Sequence, residues 1–216
     1  ACIAGARVQL ADRSVWLIGI LATLVILVPF ATRDTLTPIY AEQLGGRAGI
    51  LTLLSNIHLI FYALAIALCS SVFYQRLGLM KTAVLGIVLQ VVSTFGIPFT
   101  SNLYLIYLLQ ALAGFSFGMA FAAFMSLSVV NTTSDEQSTR MGLFQTIYSC
   151  GMFAGPVIMG VMMQHINLSS GYLFIAALSV VAALATPLSV RWVNSRKTPA
   201  TAELSINSSL APARDQ

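Results

Sequence analysis

The sequence predicts an all-α integral membrane protein, a bundle of six transmembrane helices. Six apolar runs fill most of its 216 residues, each close to the roughly 20 residues that cross a bilayer core as helix. Backbone groups in lipid must pair within their own segment, so each run reads as helix. Charged residues make up only 8% of the chain, whereas a soluble bundle would need a polar stripe along every helix. Lys and Arg also fall on alternate loops, as they do in multi-pass proteins.

The runs lie at about 15–40, 48–73, 82–100, 103–130, 141–165 and 169–191 by the apolar-run criterion. Breaks fall at Gly45-Gly46, Leu77-Gly78, Thr100-Ser101-Asn102, Thr133-Ser134-Asp135 and Asn167. One side of the membrane receives Arg7, Arg13, Arg76, Lys81, Arg140, Arg191, Arg196, Lys197 and Arg214, and the other only Arg33 and Arg47. Nine against two places both termini in the cytoplasm of a cell membrane, inner or plasma. The domain reading is a cytoplasmic segment at 1–14, a transmembrane domain at 15–193 and a disordered polar tail at 194–216. Ala1 is read as either a processed start or a fragment boundary.

Span one carries Arg33-Asp34-Thr35 and two prolines. Pro38 and Pro29 have no amide hydrogen, so the carbonyls of Asp34 and Val25 lose their helical donors. A freed carbonyl beside a carboxylate suits a cation or proton path in a broken helix. Arg33 also lies about 27 Å along the helix from Val15, where charges snorkel to the interface. Both readings of Arg33 and Asp34 stay open at this stage.

Span two sets Thr52, Ser55, Asn56, His58 and Tyr62 along one side. The stripe points to a polar cavity, because polar groups in lipid are costly unless they face a cavity or partner. His58 near mid-membrane either changes charge or, neutral, bonds a neighbouring helix. Spans three and six, nearly uniform in Val, Leu, Ile and Ala, are expected to be outer helices facing lipid. Spans one, two, four and five are expected to face inward.

Spans four and five contain Gly114-x-x-x-Gly118 and Gly151-x-x-x-Gly155, spacings that let helix backbones approach. Gln110, Gln145, Tyr148 and Ser149 add cavity-facing polar candidates, and Pro156 gives span five a place to bend. The Met and Phe residues of these spans would suit an amphiphilic ligand, and are equally ordinary packing side chains.

Several functions find no support in the residues. His58 and His165 lie far apart without nearby carboxylates, and no nucleophile–base set is visible, so no enzyme is expected. Cys2, Cys69 and Cys150 offer neither a disulfide framework nor metal spacing, and neither metal nor cofactor is expected. No phosphate-binding loop is present. The basic residues lie on loops without interleaved aromatics, which excludes a nucleic-acid surface. The sequons at Asn131, Asn167 and Asn207 read as chance matches.

The order of these features resembles the C-terminal six-helix half of a major facilitator superfamily transporter. The segment Thr37-Pro38-Ile39-Tyr40-Ala41-Glu42-Gln43-Leu44-Gly45 is similar to the outer end of that family's first or seventh helix. The loop after span two matches the family's Gly-x-x-x-Asp-Arg-x-Gly-Arg-Lys signature at Arg76, Gly78 and Lys81, with Gln75 at the aspartate and Ser71 at the first glycine. Gln110 stands where the N-terminal half carries an arginine ahead of its glycine, here Gly114. Gly142, Gly151, Gly155-Pro156 and Gly160 resemble the family's glycine–proline helix, with Met159 in place of a glycine.

The resemblance implies secondary active transport of a small molecule by alternating access, with protons the candidate coupling ion and efflux the candidate direction. It also implies a second six-helix half as partner. Asp34, Arg33, Asn56, His58, Gln110, Gln145 and Tyr148 become the expected substrate and ion path. Arg76, Gly78, Lys81, Gly114, Gly118, Gly151, Gly155 and Pro156 become the expected conformational and packing positions. The alternative is a non-transporting scaffold or partner subunit that works only in an oligomer.

Overall fold

The computed structural model describes residues 13–130, 132, 134–165 and 167–188. The 194–216 tail and most of the 1–14 segment lie outside these residues, as do Cys2, Asn131 and Asn207. Six helices are long and apolar enough to cross a membrane. They are α1 (Arg13–Gln43), α2 (Ala48–Arg76), α3 (Gly78–Phe99), α4 (Leu103–Val129), α5 (Ser134–His165) and α6 (Leu168–Leu188). No strand occurs among the described residues.

The breaks fall where turn residues placed them. Gly45 and Gly78 adopt φ of 85° and 78°, the left-handed region that side chains with a Cβ disfavour. Asn102 caps α4 by accepting from the Tyr104 amide at 2.9 Å. Asn167 caps α6 by accepting from the Ser170 amide at 3.0 Å and its hydroxyl at 2.7 Å. The Asn-x-Ser triplet at 167 thus has a local structural role as a helix cap.

Span five starts earlier than the apolar run implied, at Ser134 rather than 141, because its first turns are helical but polar. Arg140 therefore lies inside the helix and is buried. Its Nε donates to the Ser128 carbonyl and its Nη2 to the Ser14 hydroxyl, both at 2.6 Å. One guanidinium on α5 thus ties α1 and α4 together at one end of the bundle.

Glycines set the helix crossings. On α4, a Cβ at Gly114 would overlap the His58 carbonyl oxygen, and one at Gly118 would lie 2.6 Å from that of Tyr62. On α5, a Cβ at Gly151 would overlap the Thr23 carbonyl oxygen, and one at Gly155 would lie 2.8 Å from that of Leu27. In each pair two glycines one turn apart receive two carbonyls one turn apart, joining α2 to α4 and α1 to α5. Thr23 reinforces the second crossing with a 3.0 Å bond to the Ile147 carbonyl.

Helix α3 packs one face against the bundle and leaves Leu85, Val88, Val92 and Phe95 exposed on another. Of its most apolar stretch 44% is buried, against 17% for α2 and for α5. Gly86 lets it rest on the α4 backbone, where a Cβ would meet the Ala120 nitrogen at 2.7 Å. Gln90, buried, donates from Nε2 to the Val25 carbonyl at 3.0 Å. That is the carbonyl Pro29 leaves without its helical donor. Helix α6 is likewise partly internal, since buried Tyr172 donates to Thr37 Oγ1 at 2.9 Å. Apolar composition does not tell the packed face of these helices from the exposed one, because burial among helices and exposure to lipid select the same side chains.

Candidate functional site

Helices α1, α2, α4 and α5 enclose a cavity of about 310 Å³. Helix α2 is held against α4 and α5 against α1 by the glycine crossings, which leaves the space between the two pairs. Ile26, Phe30 and Arg33 line it from α1, and His58, Leu59 and Tyr62 from α2. Phe117 and Phe121 of α4, with Tyr148 and Met152 of α5, complete the wall.

The wall is a continuous aromatic series. Tyr62 stacks on Phe117 with centroids 5.1 Å apart and planes 19° from parallel. Phe117 meets Phe121 at 5.6 Å, and Phe121 meets Tyr148 edge-on at 5.5 Å and 87°. Phe144 supports Tyr148 from behind at 5.2 Å. Such offset and edge contacts hold rings in defined orientations.

His58 is the buried polar group of the site, 1% exposed. Its Nδ1 lies 3.3 Å from Gln110 Oε1 on α4. Which ring nitrogen carries the proton depends on the tautomer and on the orientation of the Gln110 amide. Nε2 is buried and has no hydrogen-bond partner among the described residues. A buried polar atom without a partner costs about 1–3 kcal/mol, and the Tyr74 hydroxyl and Gln90 Oε1 share that condition away from this cavity.

Arg33 and Asp34 lie in Thr32–Leu36, which is wound as a π-helix two to six residues ahead of Pro38. The wider turn shifts pairing by one residue, so that Thr37 donates to the Thr32 carbonyl. Such bulges concentrate at functional positions. Arg33 Nε donates to Asp34 Oδ1 at 2.6 Å, and the guanidinium sits 5.9 Å from the Phe30 ring centre. Arg33 lines the cavity, while Asp34 holds it from outside the lining.

The expected path residues therefore divide. Arg33, His58 and Tyr148 line the cavity, and Gln110 orients His58 from behind it. Asn56 and Gln145 do not line it; both are exposed on the outside of the bundle. The packing set divides too. Gly114, Gly118, Gly151 and Gly155 sit at crossings, whereas Gly78 turns the chain between α2 and α3 with nothing within 4 Å of an added Cβ. Arg76 and Lys81 are exposed, and the ion pair seen among the described residues is Arg33–Asp34.

Phe117 and Phe121 were not singled out in the sequence. Their spacing of four on one helix face is the signal that could have found them, though it equally describes core packing. Among the described residues no three His, Cys, Asp or Glu side chains gather to hold a metal.

The family model for the Major Facilitator Superfamily matches residues 14–214 of the chain. No curated protein matches it in sequence.

Proposed function

The chain belongs to the major facilitator superfamily, a family of membrane transporters, and on that premise we propose that it is a secondary active transporter. In this reading a small molecule passes by alternating access through the cavity between α1, α2, α4 and α5. The observation that carries it is the cavity itself, which lies midway along four spans and is lined by Arg33, His58 and an aromatic wall. A scaffold would have no use for such a cavity.

The test is access from each side of the membrane, read by an impermeant maleimide in a chain whose cysteines are replaced by serine. Asn102→Cys and Asn167→Cys should label only from outside and Asp135→Cys only from inside, as the positive-residue count implies. Met152→Cys, in the cavity wall, should label from either side. A cavity cysteine reachable from one side alone would contradict alternating access, and reversed reference labels would invert the orientation.

Proton coupling is assigned to the Arg33–Asp34 pair, because a carboxylate in a membrane span is costly without a use. Asp34→Asn should insert normally, yet lose any shift of Met152→Cys labelling that an imposed proton gradient produces. A gradient response that survives in Asp34→Asn would reduce the pair to an interfacial anchor.

The partner in this reading is a second six-helix surface, whether in the same polypeptide or in another copy. Thr52 and Asn56 on α2, and Gln145, Thr146 and Ser149 on α5, are exposed within apolar spans. Polar side chains at that depth need protein or water against them rather than lipid. In mild detergent the 216-residue chain should therefore dimerise, capture a partner half or aggregate. A stable monomer that catalyses solute flux alone would overturn the second surface.

A further inference from the structure

We infer, on the reading that this cavity is the transport site, that it takes a planar aromatic anion whose acid group is held by Arg33. Charge supplies the first half of the inference. Of the residues that line the cavity, Arg33 alone carries a formal charge. Its side chain keeps 24% of its surface accessible, which leaves room for a guest against it. The guanidinium carbon lies 5.9 Å from the ring centre of Phe30, which lines the same space.

Asp34 occupies one donor of that guanidinium. Its Oδ1 accepts from Nε at 2.6 Å, and the carboxylate stands outside the lining. Arginine carries five N–H donors in a planar fork, and Arg33 makes no other hydrogen bond among the described residues. The donors that remain match a guest carboxylate, which takes two parallel bonds at once. Such charge-assisted bonds are about twice as strong as neutral ones, so a neutral guest of the same shape gains less. A cationic guest would find ring faces in the wall. It would also meet the like charge of Arg33 inside the lining, while Asp34 lies beyond it.

Shape supplies the second half. Tyr62, Phe117, Phe121 and Tyr148 line one space of about 310 Å³ and contact one another ring to ring. A flat π-system fills such a space with offset and edge contacts that an aliphatic ring does not make. The guest that satisfies both halves lays its ring along the α4 and α5 wall and turns its acid group to α1.

The test uses indole-3-acetate, indole-3-acetamide and tryptamine, which place an anion, a neutral amide and a cation on one ring system. Cyclohexylacetate serves as the aliphatic anion. Dissociation constants are measured by calorimetry on the full chain in nanodiscs, with empty nanodiscs as the blank. Wild type should bind indole-3-acetate about tenfold more tightly than the amide and about threefold more tightly than cyclohexylacetate. Arg33→Gln should bring the acetate-to-amide ratio close to one. Asp34→Asn, which removes the competing carboxylate, should raise that ratio, and it decides the matter should Arg33→Gln fail to fold. Indole-3-acetate should also slow maleimide labelling of Met152→Cys in the cavity wall. A ratio near one in wild type, one that persists in Arg33→Gln, or one unmoved by Asp34→Asn overturns the inference. So does the absence of saturable indole-3-acetate binding, or a Met152→Cys that it fails to protect. Tighter binding of tryptamine overturns it in favour of an aromatic cage for cations, and tighter binding of cyclohexylacetate removes the aromatic requirement. Charge selectivity with a cavity cysteine accessible from one side only would leave the ligand class intact and remove the transport reading. The opposite pair of results would do the reverse.

Discussion

Gly114→Ala should lower the thermal midpoint of the detergent-solubilised chain by roughly 6–12 °C, taking about 2–4 °C per kcal/mol for a chain of this size. A Cβ there would overlap the His58 carbonyl oxygen and lie 2.8 Å from its carbon. Both atoms are backbone, so α2 as a whole must move away from α4 rather than one side chain rotating. Overpacking costs about 1–3 kcal/mol in ordinary cores, and displacing a helix places this site at the upper end. The same shift separates His58 on α2 from Gln110 on α4, which lie 3.3 Å apart. Gly142→Ala is the control, because nothing lies within 4 Å of a Cβ there. Equal midpoints for the two variants would mean that α2 and α4 are not held by that crossing.

Arg140→Leu should be comparably destabilising. The guanidinium is buried and donates to Ser128 on α4 and Ser14 on α1, both at 2.6 Å. Hydrogen bonds from a charged donor are worth about 1.5–3 kcal/mol each. Losing two costs roughly 3 kcal/mol or more on that scale, and the Ser128 carbonyl is left without this donor. Lys carries the charge on a single nitrogen and lacks the planar fork that spans two separated acceptors. Arg140→Lys should therefore recover only part of the lost midpoint, measured by thermal unfolding with size-exclusion readout. Full recovery by Lys would show that charge at the membrane edge, rather than the two bonds, is what matters.

Much of this architecture was legible in the residues, and the parts that were not share a cause. Six spans and their breaks follow from apolar length and from glycines such as Gly45 and Gly78, which are local signals. Pro29 marked the Val25 carbonyl as needing a donor. That the donor is Gln90 depends on which face of α3 meets α1, and composition does not record that. Of the four glycines of α5, the spacing of four marked Gly151 and Gly155, which meet α1, while Gly142 and Gly160 have nothing within 4 Å of an added Cβ.

The site shows the same division. His58 and Tyr148 stood out as polar residues in lipid, while Phe117 and Phe121 did not, because a ring in a membrane helix has many ordinary uses. Arg140 was counted as a cytoplasmic anchor, since polarity alone placed the start of its helix too late. Asn56 and Gln145 were selected by polarity as well, and the structure sets them on the outer surface instead of in the cavity. Polarity within a span shows that a residue needs company; the packing decides whether a cavity or a partner surface supplies it.

The most direct measurement of the central claim reads both walls of the cavity together. Leu59→Cys on α2 and Met152→Cys on α5 line the same space from opposite helix pairs. Each is labelled by an impermeant maleimide in sealed vesicles of both orientations, under proton gradients of either sign. A transport cavity predicts that the two positions change together, gaining access from one side as they lose it from the other. Labelling that is insensitive to the gradient, or that changes at one wall and not the other, would contradict a single alternating-access path.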